Sequence, residues 1–134
     1  MRIFVDTAYW VALLHQDDQW HQQAKQLEPQ VETHQLVTTE LVLVELLNYF
    51  SRFGKKTRSE VSGVVQAMSS GLIIQIVWQT QPLFQSGLAL YATRLDKGYS
   101  LTDCVSMVVM KQQGIQEVLT HDKHFTQEGF TLLL

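Results

Sequence analysis

Five short apolar runs with little polar alternation constrain this chain more than any other feature: Ile3-Phe4-Val5, Leu36-Val37, Leu72-Ile73-Ile74-Gln75-Ile76-Val77, Val118-Leu119 and Leu132-Leu133-Leu134. A strand with one wet face alternates apolar and polar residues, whereas a strand buried on both faces does not. The runs therefore predict a parallel sheet covered by helices on both sides. Helical patterns fill the intervals. Trp20, Ala24 and Leu27 fall at i, i+4, i+7, and Val61, Val64, Val65 and Met68 at i, i+3, i+4, i+7, as one buried stripe requires. Phe84, Leu88, Tyr91 and Leu95 extend that spacing over three turns. Residues 41–53 are apolar almost all round, which predicts a helix buried centrally or shared with a second subunit.

The punctuation agrees with that reading. Gly54, Gly71, Gly98 and Gly114 each follow a helical pattern, where a left-handed C-cap residue is wanted. Pro82 falls in the first turn of the next helix, where a missing N–H is harmless. Strands alternating with helices predict an α/β three-layer sandwich, a central parallel sheet of about five strands with helices on both faces. The 134 residues fit one domain, 1–134, and a domain of that size buries about two-thirds of its unfolded surface without staples.

Composition removes several classes of function. With 46% apolar and 17% charged residues the chain is not disordered. Its one cysteine, Cys104, excludes an internal disulfide framework and a Cys-rich zinc site, and in an apolar helix it reads as packing. No apolar run reaches the ~18 residues of a membrane span. The opening Met1-Arg2-Ile3-Phe4-Val5-Asp6 is too short an apolar stretch for a secretory signal, so the expected compartment is the cytoplasm. The formal charge of −3 does not suggest a general polyanion binder. A nucleic-acid role would need a local basic patch, or metal ions that reverse the sign of an acidic site.

Four acids stand out by their surroundings. Asp6 ends the first apolar run, Glu45 lies inside Leu41-Val42-Leu43-Val44-Glu45-Leu46-Leu47, Asp103 follows Ser100-Leu101-Thr102, and Asp122 closes Leu119-Thr120-His121-Asp122. Each has a local explanation. Asp6 and Asp122 can cap helices, Ser100 and Asp103 have capping-box spacing, and Glu45 can pair with an arginine. Taken together they point elsewhere. Ligands of open α/β sheets gather outside the carboxyl ends of the strands, where Asp6 and Asp122 lie. Carboxylates crowded there raise one another's pKa, and a hard divalent cation removes the conflict. Such an ion would also draw phosphate to an acidic chain.

These residues, in this order, resemble the PIN-domain family and, within it, the VapC-type ribonuclease toxins of toxin–antitoxin systems. The resemblance rests on Phe4-Val5-Asp6-Thr7, Trp20-His21 with Ala24, Val44-Glu45-Leu46-Leu47, Tyr99-Ser100-Leu101-Thr102-Asp103-Cys104, Gly114-Ile115 and Val118-Leu119-Thr120-His121-Asp122-Lys123-His124-Phe125. It spans nearly the whole chain, and the ordered set is more specific than any member. Cys104 stands where the family usually has alanine. The resemblance implies an Mg²⁺ or Mn²⁺ site that hydrolyses RNA phosphodiester bonds. It matches Asp6 and Asp103 to the main metal-binding acids, and Glu45 and Asp122 to those that complete the site. Thr7, Thr102 and Thr120 match neighbouring polar positions. It further implies a homodimer and a cognate antitoxin that blocks the site. The expected chemistry is metal-assisted attack of water on phosphorus, with no covalent nucleophile.

Other signals are weaker. Arg52, Lys55, Lys56 and Arg58 put four of the ten basic residues within seven positions, either as a solvated loop or as an RNA-backbone contact. His121 and His124 suggest a zinc site but lack further His or Cys partners, so they read as surface or capping residues. His15, His21 and His34 carry no signal. Tyr49, Phe50 and Phe53 read as core, as a dimer face or as a groove for a partner helix. The alternatives to a nuclease are a non-catalytic PIN-like RNA- or protein-binding module, and a receiver-like phospho-acceptor domain. The latter expects paired acids at the first strand, where Asp6 stands alone.

Overall fold

The computed structural model describes residues 1–71 and 73–134. Each apolar run contributes a strand: β1 (Arg2–Val5), β2 (Gln35–Thr39), β3 (Ile74–Val77), β4 (Glu117–Leu119) and β5 (Thr131–Leu132). Leu72, the first residue of the third run, lies outside the described residues. The strands form one parallel sheet in the order β3-β2-β1-β4-β5. Phe4 sits opposite Val37 on one side and Val118 on the other. Phe4, Val5, Val37, Val118 and Leu119 are all buried, as strands covered on both faces must be.

Between the strands run α1 (Thr7–Leu14), α2 (His21–Val31), α3 (Glu40–Tyr49), a 3₁₀ turn (Phe50–Arg52), α4 (Lys55–Ser70), α5 (Gln81–Thr93), α6 (Leu101–Gln113) and α7 (His124–Gln127). By the right-handed rule for parallel crossovers, the connections from β1 through β2 to β3 assign α1 to α4 to one face. The return from β3 to β4 reverses direction and places α5 and α6 on the other. Most of the packing follows this division, α1 against α2 and α3, α3 against α4, and α5 against α6, while α3 also touches α6.

Helix starts are set by short polar side chains that accept from orphan N–H groups. Thr39 Oγ1 accepts from Val42 N–H and Thr80 Oγ1 from Leu83 N–H, both at 3.2 Å. Pro82 lies in the first turn of α5. Of the glycines expected as left-handed C-caps, Gly114 is one, with φ 67° at the end of α6. Gly54 (φ 92°) instead precedes α4 as its N-cap, Gly71 ends α4 in an extended conformation, and Gly98 (φ 72°) turns the loop before α6. A glycine between two helices can serve either neighbour, and spacing does not say which.

Two apolar patterns are used differently from the expectation. In α5 the buried residues are Leu83 and Gly87, while Phe84, Leu88 and Tyr91 are 44%, 46% and 48% exposed. Leu95 lies beyond α5 and faces solvent. Close approach explains the inversion: a Cβ added at Gly87 would stand 2.5 Å from Val105 Cγ2 on α6. The narrow face of α5 docks, and its large apolar residues turn outward. Likewise α3 buries Val42, Leu43 and Leu46 but exposes Val44, Leu47 and Tyr49, so it is not central.

A buried carboxylate ties the second helical layer together. Glu128, after α7, accepts from Arg94 Nε and Tyr99 Oη through Oε1 and from Lys111 Nζ through Oε2. Burial pushes this carboxyl up, but the bonds from Arg94 and Lys111 pull it further down, below its ordinary value.

Candidate metal centre

β1 and β4 are neighbours, yet the chain leaves β1 towards β2 and leaves β4 towards β5. The connections part at the carboxyl ends of these strands and open a crevice, the switch point at which α/β sheets hold ligands. Asp6 follows β1 directly, and Asp122 comes three residues after β4. The crevice, about 640 Å³, is lined by Asp6, Thr7, Glu45, Asp103 and Asp122, with His121, Lys123 and His124 among their neighbours. Acids from the two ends of the chain thus meet in one place.

Asp6 occupies the N-cap position of α1 but makes no side-chain capping bond. Its Oδ2 instead accepts from Thr120 Oγ1 at 2.9 Å, and that hydroxyl oxygen accepts from Asp122 N–H at 3.1 Å. One buried threonine therefore joins the ends of the two central strands. Burial is the main force on Asp6, raising its carboxyl from 3.8 to about 7. The charges of Asp103 and Glu45 add to this and the Thr120 bond opposes it.

Asp103 combines a local and a long-range role. The capping box is present: Ser100 Oγ accepts from Asp103 N–H at 3.0 Å, and Asp103 Oδ2 accepts from Ser100 N–H at 3.1 Å. The same box aims the carboxylate into the crevice from the first turn of α6. Burial raises its pKa, the Ser100 bond lowers it, and the charge of Asp122 raises it again. Glu45 enters from α3, half-buried, with Oε1 accepting from Thr7 Oγ1 at 2.6 Å. It pairs with no arginine among the described residues. Asp122 Oδ1 accepts from His124 N–H at 3.0 Å, which fixes the start of α7.

Two further expectations fall outside the crevice, and Cys104 is buried as its apolar setting led one to expect. Thr102 lies in the first turn of α6 outside the crevice lining. Arg52, Lys55, Lys56 and Arg58 lie around the 3₁₀ turn and the start of α4, also outside that lining. Arg58 Nη1 donates to Ser51 O at 2.8 Å. Cys104 is fully buried, and burial pushes its thiol up to about 11, which suits packing rather than reactivity.

The sequence reads His124 as surface or cap, and the structure turns it inward. Its Nδ1 lies 3.2 Å from Asp103 Oδ2 and 3.3 Å from Asp122 Oδ1. One ligand atom each from Asp103, Asp122 and His124 lies within 4.8 Å of the others. Two carboxylate oxygens and an imidazole nitrogen are donors a divalent cation accepts, and a cation beside them would relieve the conflict at buried Asp6. The sequence signal is the two-residue step from Asp122 to His124, which local pattern does not separate from a cap. His121 also lines the crevice, stacked on Trp20 with ring centroids 4.7 Å apart.

A profile of the PIN domain matches residues 3–130. The 23S rRNA-specific endonuclease VapC20 of Mycobacterium tuberculosis is 28% identical over 131 residues, covering 96% of this chain and 95% of its own. A VapC ribonuclease of Aquifex aeolicus is 25% identical over 95 residues, 71% of this chain and 67% of that one. The crystal structure of Mycobacterium tuberculosis VapC20, described as a toxin that cleaves the sarcin–ricin loop, superposes with a TM-score of 0.83 at 27% identity, covering 96% of both chains. A structure from Pyrobaculum aerophilum, at a TM-score of 0.60 and 19% identity, shares the fold and covers 98% of this chain and 89% of its own.

Proposed function

This chain belongs to the PIN domain family, and from that premise we propose that it is a metal-dependent endoribonuclease, the toxin of a toxin–antitoxin pair. One observation carries the reading: Asp6, Glu45, Asp103 and Asp122, from four separate segments, line a single crevice at the β1/β4 switch point. The relatives named as ribonucleases, and the one whose substrate is named as 23S rRNA, support RNA as the substrate.

A bound Mg²⁺ or Mn²⁺ would supply activation of water and neutralise charge on the phosphoryl oxygens. The chain's own residues do the rest. Asp103 and Asp122 would hold the ion, Asp103 with its carboxylate fixed by Ser100. Asp6 is locked by Thr120, and Glu45 is steered by Thr7, so neither must reorganise when phosphate arrives. Lys123, at the crevice edge, is placed to meet the phosphate backbone. The exposed apolar residues on α3 and α5 support homodimerisation and an antitoxin contact. The reading treats 1–134 as one PIN-like domain acting in the cytoplasm. No helix among the described residues is long and apolar enough to cross a membrane.

The test is purified protein with a structured RNA, a sarcin–ricin stem-loop among the substrates, in Mg²⁺ or Mn²⁺. Cleavage abolished by EDTA and by Asp103→Asn is the expected result. RNA or protein binding without metal-dependent cutting would replace the nuclease by a non-catalytic binding module.

A further inference from the structure

We propose that His124 is a ligand of the divalent ion, joining Asp103 and Asp122 in a mixed imidazole–carboxylate set that makes this site favour Mn²⁺ over Mg²⁺. The inference rests on the nuclease reading and adds to it a residue outside the four acids. Its first support is metric. Metal–ligand bonds of about 2.1 Å place neighbouring ligands of an octahedron about 3 Å apart. His124 Nδ1 stands 3.2 Å from Asp103 Oδ2 and 3.3 Å from Asp122 Oδ1, so the imidazole nitrogen has the spacing of an adjacent ligand to each carboxylate oxygen.

The second support is how the ring is held. His124 is the first residue of α7, and its backbone N–H donates to Asp122 Oδ1 at 3.0 Å, which couples the imidazole to the carboxylate beside it. Tyr99 packs edge-on against the ring, with centroids 5.3 Å apart and planes at 61°. Tyr99 Oη in turn donates to Glu128, the carboxylate that also holds Arg94 and Lys111. The Nε2 edge faces Gly98, where an added Cβ would come within 3.9 Å. Nδ1 is thereby left on the side of the two carboxylates. Such outer partners are how proteins orient a metal-binding histidine.

Donor chemistry supplies the direction. Carboxylate and water suit Mg²⁺, which accepts nitrogen poorly, whereas imidazole moves a site towards the first-row transition metals. With oxygen donors in the majority and an open crevice, Mn²⁺ fits better than the closed four-ligand geometry zinc prefers.

The experiment measures binding of Mn²⁺ and Mg²⁺, each alone, to the purified full chain by calorimetry. Pulsed electron paramagnetic resonance of bound Mn²⁺ then reads ligand nitrogen directly. Wild-type protein should show ¹⁴N modulation, retained in His121→Ala and absent in His124→Ala. The Mn²⁺-to-Mg²⁺ affinity ratio should fall by about tenfold in His124→Ala, the low end of what losing even an outer partner of a metal ligand does. His124→Asn keeps an N–H for the two carboxylates but offers a poor ligand, so it should behave as His124→Ala. If His124→Asn restores the ratio, the ring only orients the acids and the inference is overturned. Bound Mn²⁺ without a nitrogen signal overturns it while leaving the nuclease reading intact. Failure of wild-type protein to bind either ion removes both.

Discussion

Asp6→Asn should stabilise the metal-free protein at neutral and alkaline pH while abolishing RNA cleavage. The carboxyl is raised from 3.8 to about 7, chiefly by burial. An acid whose folded pKa lies above its unfolded value holds its proton more tightly when folded. Stability is therefore full below pH ~4 and is lost as pH rises towards ~7. At 1.36 kcal/mol for each pH unit between the two values, the loss amounts to about 4 kcal/mol by pH 8. Asparagine has nearly the same shape, no charge, and an oxygen that can still accept from Thr120 Oγ1. It should recover most of that loss, on the order of 10 °C in melting temperature for a domain of this size. The assay is thermal unfolding in EDTA between pH 5 and 8, followed by far-UV circular dichroism. The gap between variant and wild type should narrow steadily as pH falls. Saturating Mn²⁺ should narrow it at pH 8: the variant keeps Asp103, Asp122 and His124 and can bind the ion as well, but only in wild type does the cation also relieve the Asp6 charge. Equal melting temperatures in EDTA at pH 8, or a gap that ignores both pH and metal, would refute the claim that burial and neighbouring acids disfavour this carboxylate.

Three other outcomes follow from particular contacts. Gly87→Ala should destabilise by about 1–3 kcal/mol through overpacking against Val105, despite alanine's better helix propensity, and Val105→Ala should rescue it in the double variant; chemical denaturation measures both. Glu128→Gln should lower the melting temperature at pH 7. Because the Glu128 pKa is lowered, its contribution is present above the ordinary carboxylate range and lost in acid, so the difference should vanish as pH falls, opposite in sense to Asp6. Replacing Arg52, Lys55, Lys56 and Arg58 by alanine should weaken binding of all RNA sequences alike and reduce the log–log salt slope by about 0.7 for each single-strand phosphate that is no longer neutralised, leaving Mn²⁺ affinity unchanged; unaltered binding would reduce the patch to solvated surface.

The sequence alone determined what depends on neighbours along the chain. Unalternating runs such as Ile3-Phe4-Val5 read as strands buried on both faces, and that dictates a parallel sheet with two helical layers. The Ser100–Asp103 capping box was likewise written locally, because its bonds close within a few residues. Even Asp6 was legible as a strand-end acid.

Tertiary structure decided what covers each face and what meets across the sheet. Phe84, Leu88 and Tyr91 have the spacing of a core stripe, but Gly87 gives α6 a closer approach and leaves them facing solvent. His124 has the look of a surface residue until α6 and α7 set Asp103 beside it. Periodicity records the backbone state and which residues share a face. It carries no information about strand order, and the order β3-β2-β1-β4-β5 is what opens the crevice that Asp6, Glu45, Asp103 and Asp122 line together.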